Sequence, residues 1–306
     1  MTVRVAGIDC GTNSIRLLIA DLTEGRLHDV HREMRVVRLG QGVDRTGRLA
    51  PEALARTRHA LRDYAELIRQ NQVEQVRMVA TSATRDAINA DEFAALVTDV
   101  LGVAPEVITG LAEAELSFSG AVGTLPGLGA GPVLLADIGG GSTELVLGTG
   151  ARVSAAHSMN VGCVRMSERH LHDDPPTPGQ VEAVVSDLQA ALRRASVDVP
   201  MAAAETFVGV AGTVTTMVAI AIGLPAYDPT AIHGTAISFD RVCAVTDELL
   251  AMTRAERAAL PVMHPGRVDV IGGGALVLRS VMEFAGAAEV IASEHDILDG
   301  IALSLG

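Results

Sequence analysis

One stretch of this chain occurs twice, and the repeat limits what the whole can fold into. Val5-Ala6-Gly7-Ile8-Asp9-Cys10-Gly11-Thr12-Asn13-Ser14, followed by an apolar run to Ala20, returns as Leu134-Leu135-Ala136-Asp137-Ile138-Gly139-Gly140-Gly141-Ser142, followed by Thr143 to Leu147. At a constant offset Asp9 falls on Asp137, Gly11 on Gly139 and Ser14 on Ser142. Each copy reads as an apolar run, then Asp-x-Gly-x-x-Ser, then a second apolar run. That is the pattern of two strands joined by a tight turn whose glycines leave backbone N–H groups exposed. Such a turn can wrap an anion, and the Asp at its root can hold a divalent cation. Two copies facing each other would form a clamp for phosphate groups.

Composition removes several alternatives. With 306 residues, 48% apolar and 20% charged, the chain is folded and long enough for two domains. Cys10, Cys163 and Cys243 share no C-x-x-C spacing and read as thiols of a reducing cytoplasm. The start lacks a signal pattern, because Asp9 and Arg16 interrupt it. Thr206 to Ala226 carries no charge, but its glycines and threonines favour a buried strand–turn–helix over a membrane span. All 24 basic residues are arginine. Without lysine, Schiff-base chemistry and the lysine-dependent phosphate loop are excluded. Phosphate must then be held by arginine, backbone N–H groups and metal. The net charge of −13 argues against DNA as a partner.

The runs of residues predict an α/β chain. Strands are expected at 3–9, 14–20 and about 27–38, and a helix from Pro51 to about Gln70. A strand at Val76–Ala80, a helix started by Asn89 with Glu92 in a capping-box pattern, and a strand at Glu106–Thr109 follow. The second half repeats the opening, with strands at Val133–Ala136, Glu144–Leu147, Val153–Met159, 206–210 and near 288–292, and a final helix from about Asp296. The boundary is expected in the loose stretch 123–131, giving domains of 1–124, joined by the last helix at about 296–306, and 125–295. His170, His172, Asp173 and Asp174 cluster in sequence, yet no third nitrogen or sulfur ligand stands at zinc-like spacing, and they are not read as a metal site.

Asp9-x-Gly-x-Asn13-Ser14, Asp137-Ile-Gly-Gly-Gly-Ser-Thr-Glu144 and Gly209-Val-Ala-Gly212-Thr213 together resemble the exopolyphosphatase/guanosine pentaphosphate phosphohydrolase family, within the actin-like, sugar-kinase and heat-shock ATPase superfamily. Thr81-Ser82-Ala83-Thr84-Arg85, Ile108-Thr109-Gly110-x-x-Glu113-Ala114, Asp174-Pro175-Pro176-Thr177, Tyr227-Asp228-Pro229 and His233-Gly234 extend the resemblance over nearly the whole chain. It implies two duplicated actin-like (ribonuclease H-like) domains, each a mixed five-stranded sheet flanked by helices, with a cleft between them. It also implies a Mg2+-dependent hydrolase of polyphosphate or guanosine pentaphosphate, acting as a homodimer, with a non-catalytic polyphosphate or nucleotide sensor as the reading from another class. By this resemblance Asp137 and Glu144 serve the Mg2+ site, joined by Asp9, and Glu113 orients and deprotonates the attacking water.

The residues themselves support parts of that assignment. A triple glycine at Gly139, Gly140 and Gly141 costs about 0.5–1 kcal/mol per glycine relative to alanine, which suggests a backbone that must approach something closely. Gly11, Thr12, Asn13, Ser14 and Ser142 offer backbone or side-chain donors to phosphate. Arg85 follows a strand end and can bind phosphate bidentately. Gly212 and Thr213 open a helix, where unpaired N–H groups favour anions. Arg16 is a further candidate contact. Two departures from the family pattern stand out: Ala112 replaces the first glutamate of Gly-x-Glu-Glu-Ala, and Ile297-Leu298-Asp299-Gly300-Ile301 replaces an arginine–glutamate–glycine. With no helical domains after Gly306 to extend a basic track, short polyphosphates are the expected preference.

Overall fold

The computed structural model describes residues 2–125 and 128–306. Pro126 and Gly127, inside the stretch where the boundary is expected, lie outside the described residues. The chain divides into two compact units, Met1–Gly120 with Asp296–Gly306, and Ala121–His295.

In the first unit, β1 (Thr2–Cys10), β2 (Ser14–Thr23) and β3 (Arg26–Val36) form an antiparallel meander. β4 (Gln75–Ala80) and β5 (Glu106–Val107) add in parallel, giving the order β3-β2-β1-β4-β5. The near-continuous apolar runs of β1 and β2 reflect cover on both faces. On one face lies the helix Pro51–Gln70, begun by proline in its first turn, with Leu61 and Tyr64 fully buried. On the other lies the helix Ile297–Leu303, whose Leu298 and Ala302 pack on Val5, Leu18, Ala20 and Leu22. Gly7 permits that approach, because a Cβ there would stand 3.2 Å from the Leu298 carbonyl oxygen. Asn89 does precede the helix Ala90–Leu101 but makes no side-chain cap. Its amide instead pairs with the backbone of Leu49, accepting from N–H at 2.8 Å and donating to the carbonyl at 3.1 Å. Burial of Asn89 decides this, since both polar atoms of the amide need partners away from water.

The second unit repeats the pattern. β6 (Val133–Ile138), β7 (Thr143–Thr149) and β8 (Arg152–Met159) form the meander. β9 (Thr206–Val210), β10 (Ala236–Ser238) and β11 (Glu289–Ala292) complete the order β10-β11-β9-β6-β7-β8. Read from the meander outward, β8-β7-β6-β9-β11 matches β3-β2-β1-β4-β5, the ribonuclease H-like arrangement of actin-type domains. The sheet has six strands where five were expected. The extra one, β10, is a three-residue edge strand too short to show alternation in sequence. The uncharged Thr206–Ala226 segment is β9 and the helix Ala211–Ala221, and among the described residues no helix is long and apolar enough to cross a membrane.

In each unit the first strand has an antiparallel neighbour on one side and a parallel one on the other. The turns after β1 and β6 therefore lie at the same sheet edge as the carboxyl ends of the parallel strands β4 and β9, the edge at which α/β sheets bind ligands.

Candidate active site

The two glycine turns are built by one device. In the first, Gly11 N–H donates to the Ser14 carbonyl at 2.9 Å. The Thr12 carbonyl accepts from Gly40 N–H at 2.8 Å, and the Asn13 carbonyl accepts from Val37 and Arg38 N–H at 3.1 and 2.8 Å. In the second, Gly139 and Gly140 carbonyls accept from Cys163 and Val164 N–H at 3.0 and 2.9 Å, and Arg165 Nε donates to the Gly141 carbonyl at 2.7 Å. A trans peptide points its N–H opposite to its C=O. With the carbonyls drawn to the chain leaving the third strand, the N–H groups of Asn13 and Ser14, and of Gly140, Gly141 and Ser142, face the other way. Successive N–H groups so aligned can cradle an anion. Two glycines that sequence reasoning missed set the fit. A Cβ at Gly40 would stand 2.4 Å from Thr12 Cγ2, and one at Gly162 would stand 2.6 Å from the Gly140 carbonyl. Arg165 was missed as well; nothing in its spacing marks it.

The carboxylates at the roots of the turns meet different neighbours. In β6/β7 Asp137 stands directly opposite Glu144, so both side chains share one face. They are 6% and 1% exposed, and Ser158 Oγ donates to Glu144 Oε1 at 2.7 Å. Two adjacent buried carboxylates repel unless a cation or a shared proton intervenes. Among the described residues no group of three or more ligating side chains is assembled. Mg2+ suits this pair, since it is commonly bound by one or two carboxylates with waters and phosphate oxygens filling the rest. In β1/β2 the residue opposite Asp9 is Arg16, whose Nη2 donates to Asp9 Oδ2 at 2.7 Å and whose Nη1 pairs with Asp296. Arg16 is therefore committed to two carboxylates and is not a free phosphate contact. Burial raises the Asp9 carboxyl above its ordinary value while Arg16 pulls the other way, and Asp9 Oδ1 is buried without a hydrogen-bond partner.

Around the first turn, Thr12 Oγ1 and Ser82 Oγ are 2.9 Å apart, which ties the turn to the segment carrying Arg85. That segment is a one-turn helix, Ser82–Arg85, with no side-chain cap from Thr81. Arg85 Nη1 donates to the Ile108 carbonyl at 2.8 Å and to Glu113 Oε2 at 3.2 Å. Glu113 lies in the first turn of the helix Gly110–Val122 and is 8% exposed. Thr109 fixes that start, accepting from Ala112 N–H with its hydroxyl and from Glu113 N–H with its carbonyl. Ala112 packs against the cluster of Val79, Ile108, Ile297 and Ile301.

Around the second turn, Asp137 pairs in parallel with Val210, which leads directly into the helix Ala211–Ala221. Ala211 takes φ 68°, a left-handed conformation that makes the strand-to-helix corner sharp. Gly212 sits against a guanidinium: a Cβ there would be 2.2 Å from Arg267 Nη2, while Arg267 Nη1 donates to Thr216 Oγ1 at 2.9 Å. Thr213 is buried against Gly274. A cation beside a helix start strengthens the case for an anion at Gly212 and Thr213. Arg267 carries no motif that identified it beforehand. His170, by contrast, pairs with Asp187 at 3.1 Å.

Residues 18–305 match the model of the Ppx/GppA phosphatase family. Exopolyphosphatase 2 of Mycobacterium tuberculosis is 56% identical over 99% of this chain and 98% of its own. A bifunctional 3-dehydroquinate synthase/phosphatase of Fusobacterium nucleatum is 30% identical over 97% of this chain and 46% of its own length. Among solved structures, an exopolyphosphatase-like protein superposes with a TM-score of 0.96 at 48% identity, covering 100% of this chain and 98% of that one. The Aquifex aeolicus Ppx/GppA family member superposes with a TM-score of 0.83 at 32% identity, covering 100% and 98%.

Proposed function

This chain belongs to the Ppx/GppA phosphatase family, and on that footing we propose that it is an exopolyphosphatase, a Mg2+-dependent hydrolase that releases orthophosphate from the end of inorganic polyphosphate. The observation that carries the reading is the buried Asp137–Glu144 pair at the root of a nest of backbone N–H groups, which together suit a cation and the phosphate it accompanies. Mg2+ held by Asp137 and Glu144 supplies charge neutralisation on the phosphoryl oxygens.

The chain's own groups do the remaining work. The N–H groups of Asn13, Ser14, Gly140, Gly141 and Ser142, with Gly11, Thr12 and Gly139 shaping the turns, hold phosphate oxygens. Gly212 and Thr213 add a helix start. Asp9, already paired with Arg16, orients water on Oδ1. Glu113 takes a proton from the attacking water as its oxygen bonds to the terminal phosphorus and the bridging P–O bond breaks. In the free enzyme Arg85 shares its Nη1 with Glu113. A bound phosphate draws that guanidinium away, which leaves the carboxylate a freer base when substrate is present. Phosphoryl transfer asks mainly for positioning and charge, so no covalent intermediate is needed.

Three free cysteines support a reducing, cytoplasmic setting, and the family resemblance supports a homodimer. Phosphate release from polyphosphate, guanosine pentaphosphate and ATP, measured side by side with Mg2+ and with chelator, tests the reading. The expected result is Mg2+-dependent release with polyphosphate preferred. Preference for guanosine pentaphosphate would replace the substrate, and release from none would point to a sensor.

A further inference from the structure

Arg16 is gripped by two aspartates from distant parts of the chain, and one of them belongs to no motif singled out in the sequence. Asp296 is 3% exposed. Its Oδ1 accepts from Leu298 N–H at 3.0 Å, capping the last helix, while its Oδ2 pairs with Arg16 Nη1. Arg16 in turn gives Nε and Nη2 to the same oxygen of Asp9, Oδ2, at 3.0 and 2.7 Å. The cluster holds two carboxylates and one guanidinium, so one negative charge is left over. The acceptor left without a partner is Asp9 Oδ1, a buried atom two residues before Gly11. A buried carboxylate oxygen with no donor is costly and calls for a ligand. The equivalent position in the second unit has Glu144 in place of Arg16, so this clamp is peculiar to the first turn.

We propose that Asp296 is a positioning residue for hydrolysis: it fixes Arg16, and through Arg16 it turns Asp9 so that Oδ1 is the oxygen presented to water or a hydrated cation. The inference rests on the exopolyphosphatase reading. The partition of oxygens is the argument. Arg16 occupies one oxygen of each aspartate, the helix N-terminus occupies the other oxygen of Asp296, and a single oxygen remains for function. A last helix that merely needed an N-cap would be served equally by Asn, which caps as well as Asp but carries no charge for Arg16.

That difference supplies the test. Asp296→Asn should melt close to the wild-type temperature, keep KM for a short polyphosphate within about two-fold, and lose at least about ten-fold in kcat. Arg16→Gln should lose a similar amount, and the double variant should be no worse than Arg16→Gln alone, since both act through Asp9. Asp299→Asn is the control: Asp299 pairs with Arg32 in the same helix start and should keep wild-type kcat. The proposal is overturned if Asp296→Asn retains kcat within two-fold, if the two losses multiply in the double variant, or if Asp299→Asn is equally impaired. Wild-type protein inactive on every polyphosphate would sink the functional reading instead, and melting temperatures separate both outcomes from misfolding.

Discussion

Glu113 sits where a carboxylate could be no more than a favourable partner for a helix start, so its role must be separated from that one. Glutamine at 113 keeps the shape and a carbonyl oxygen for Arg85, and it removes the basic lone pair. Glu113→Gln should therefore leave KM and thermal stability near wild type and lower kcat by at least about 10²-fold, the usual scale of a lost general base. Steady-state kinetics on a short polyphosphate decide it; near wild-type turnover would make Glu113 a dipole partner only. The Asp137–Glu144 pair carries a less intuitive expectation. Glu144→Gln removes one of two buried carboxyl groups that stand side by side, so without Mg2+ it should melt at or above the wild-type temperature in chelator. With Mg2+ the order reverses, because ligand binding raises the stability of the wild type and not of the variant. Melting curves with and without Mg2+ read both signs at once. Equal stabilisation of the two proteins by Mg2+ would remove Glu144 from the cation site.

At the level of elements, each turn depends on a glycine that leaves the third strand of its sheet. Gly162→Ala would place Cβ 2.6 Å from the Gly140 carbonyl, so the turn must shift. The expected cost is about 1–3 kcal/mol of stability with a marked loss of turnover, read by denaturant unfolding and kcat. A variant as stable and active as wild type would show that the nest does not need that contact. The Asp173–Pro178 loop offers a pH-dependent counterpart. Asp174 accepts from Arg254 N–H and from the Arg257 guanidinium, both at 2.8 Å, and the Arg254 backbone bond first, then Arg257, holds its carboxyl below the ordinary range. A folded value below the unfolded one means the contribution is complete above the ordinary carboxylate value and is lost as pH falls through the folded one. Asp174→Asn should thus be less stable than wild type at pH 7, with the gap closing below about pH 4; a constant gap would refute the linkage. Such elements also mark what sequence could carry. Strand runs, the Pro51 helix and the duplicated turns were legible because local chemistry dictates them. Arg267, Arg165, Gly40 and Gly162 were not, because each acts on a residue far away in sequence. The same holds for Arg16: its spacing suggested a phosphate contact, and only the return of Asp296 to β1 and β2 reveals its two carboxylates. The cap expected from Asn89 failed likewise, overruled by the buried backbone of Leu49.

For the whole molecule the net charge of −13 and the pairing of its arginines bear on the substrate's length. Arginines of the surface are neutralised by acidic neighbours: Arg4 with Asp21, Arg58 with Asp99, Arg77 with Glu106, Arg241 with Glu248, Arg279 with Asp247. Exposed pairs of this kind add little stability, but they do cancel the field that would guide a polyanion. Phosphates held at the turns would gain local donors, whereas each further phosphate would meet the field of a chain of net charge −13. Specificity should therefore stop rising after a few phosphates and then fall. The fall should be steeper at low ionic strength, where repulsion reaches about 30 Å, than at physiological salt, where it is screened within about 8 Å. The measurement is kcat/KM for polyphosphates of defined length at two ionic strengths. A specificity constant that keeps climbing with length, or long chains consumed processively, would mean that unpaired arginines elsewhere on the surface do line a path for the polymer.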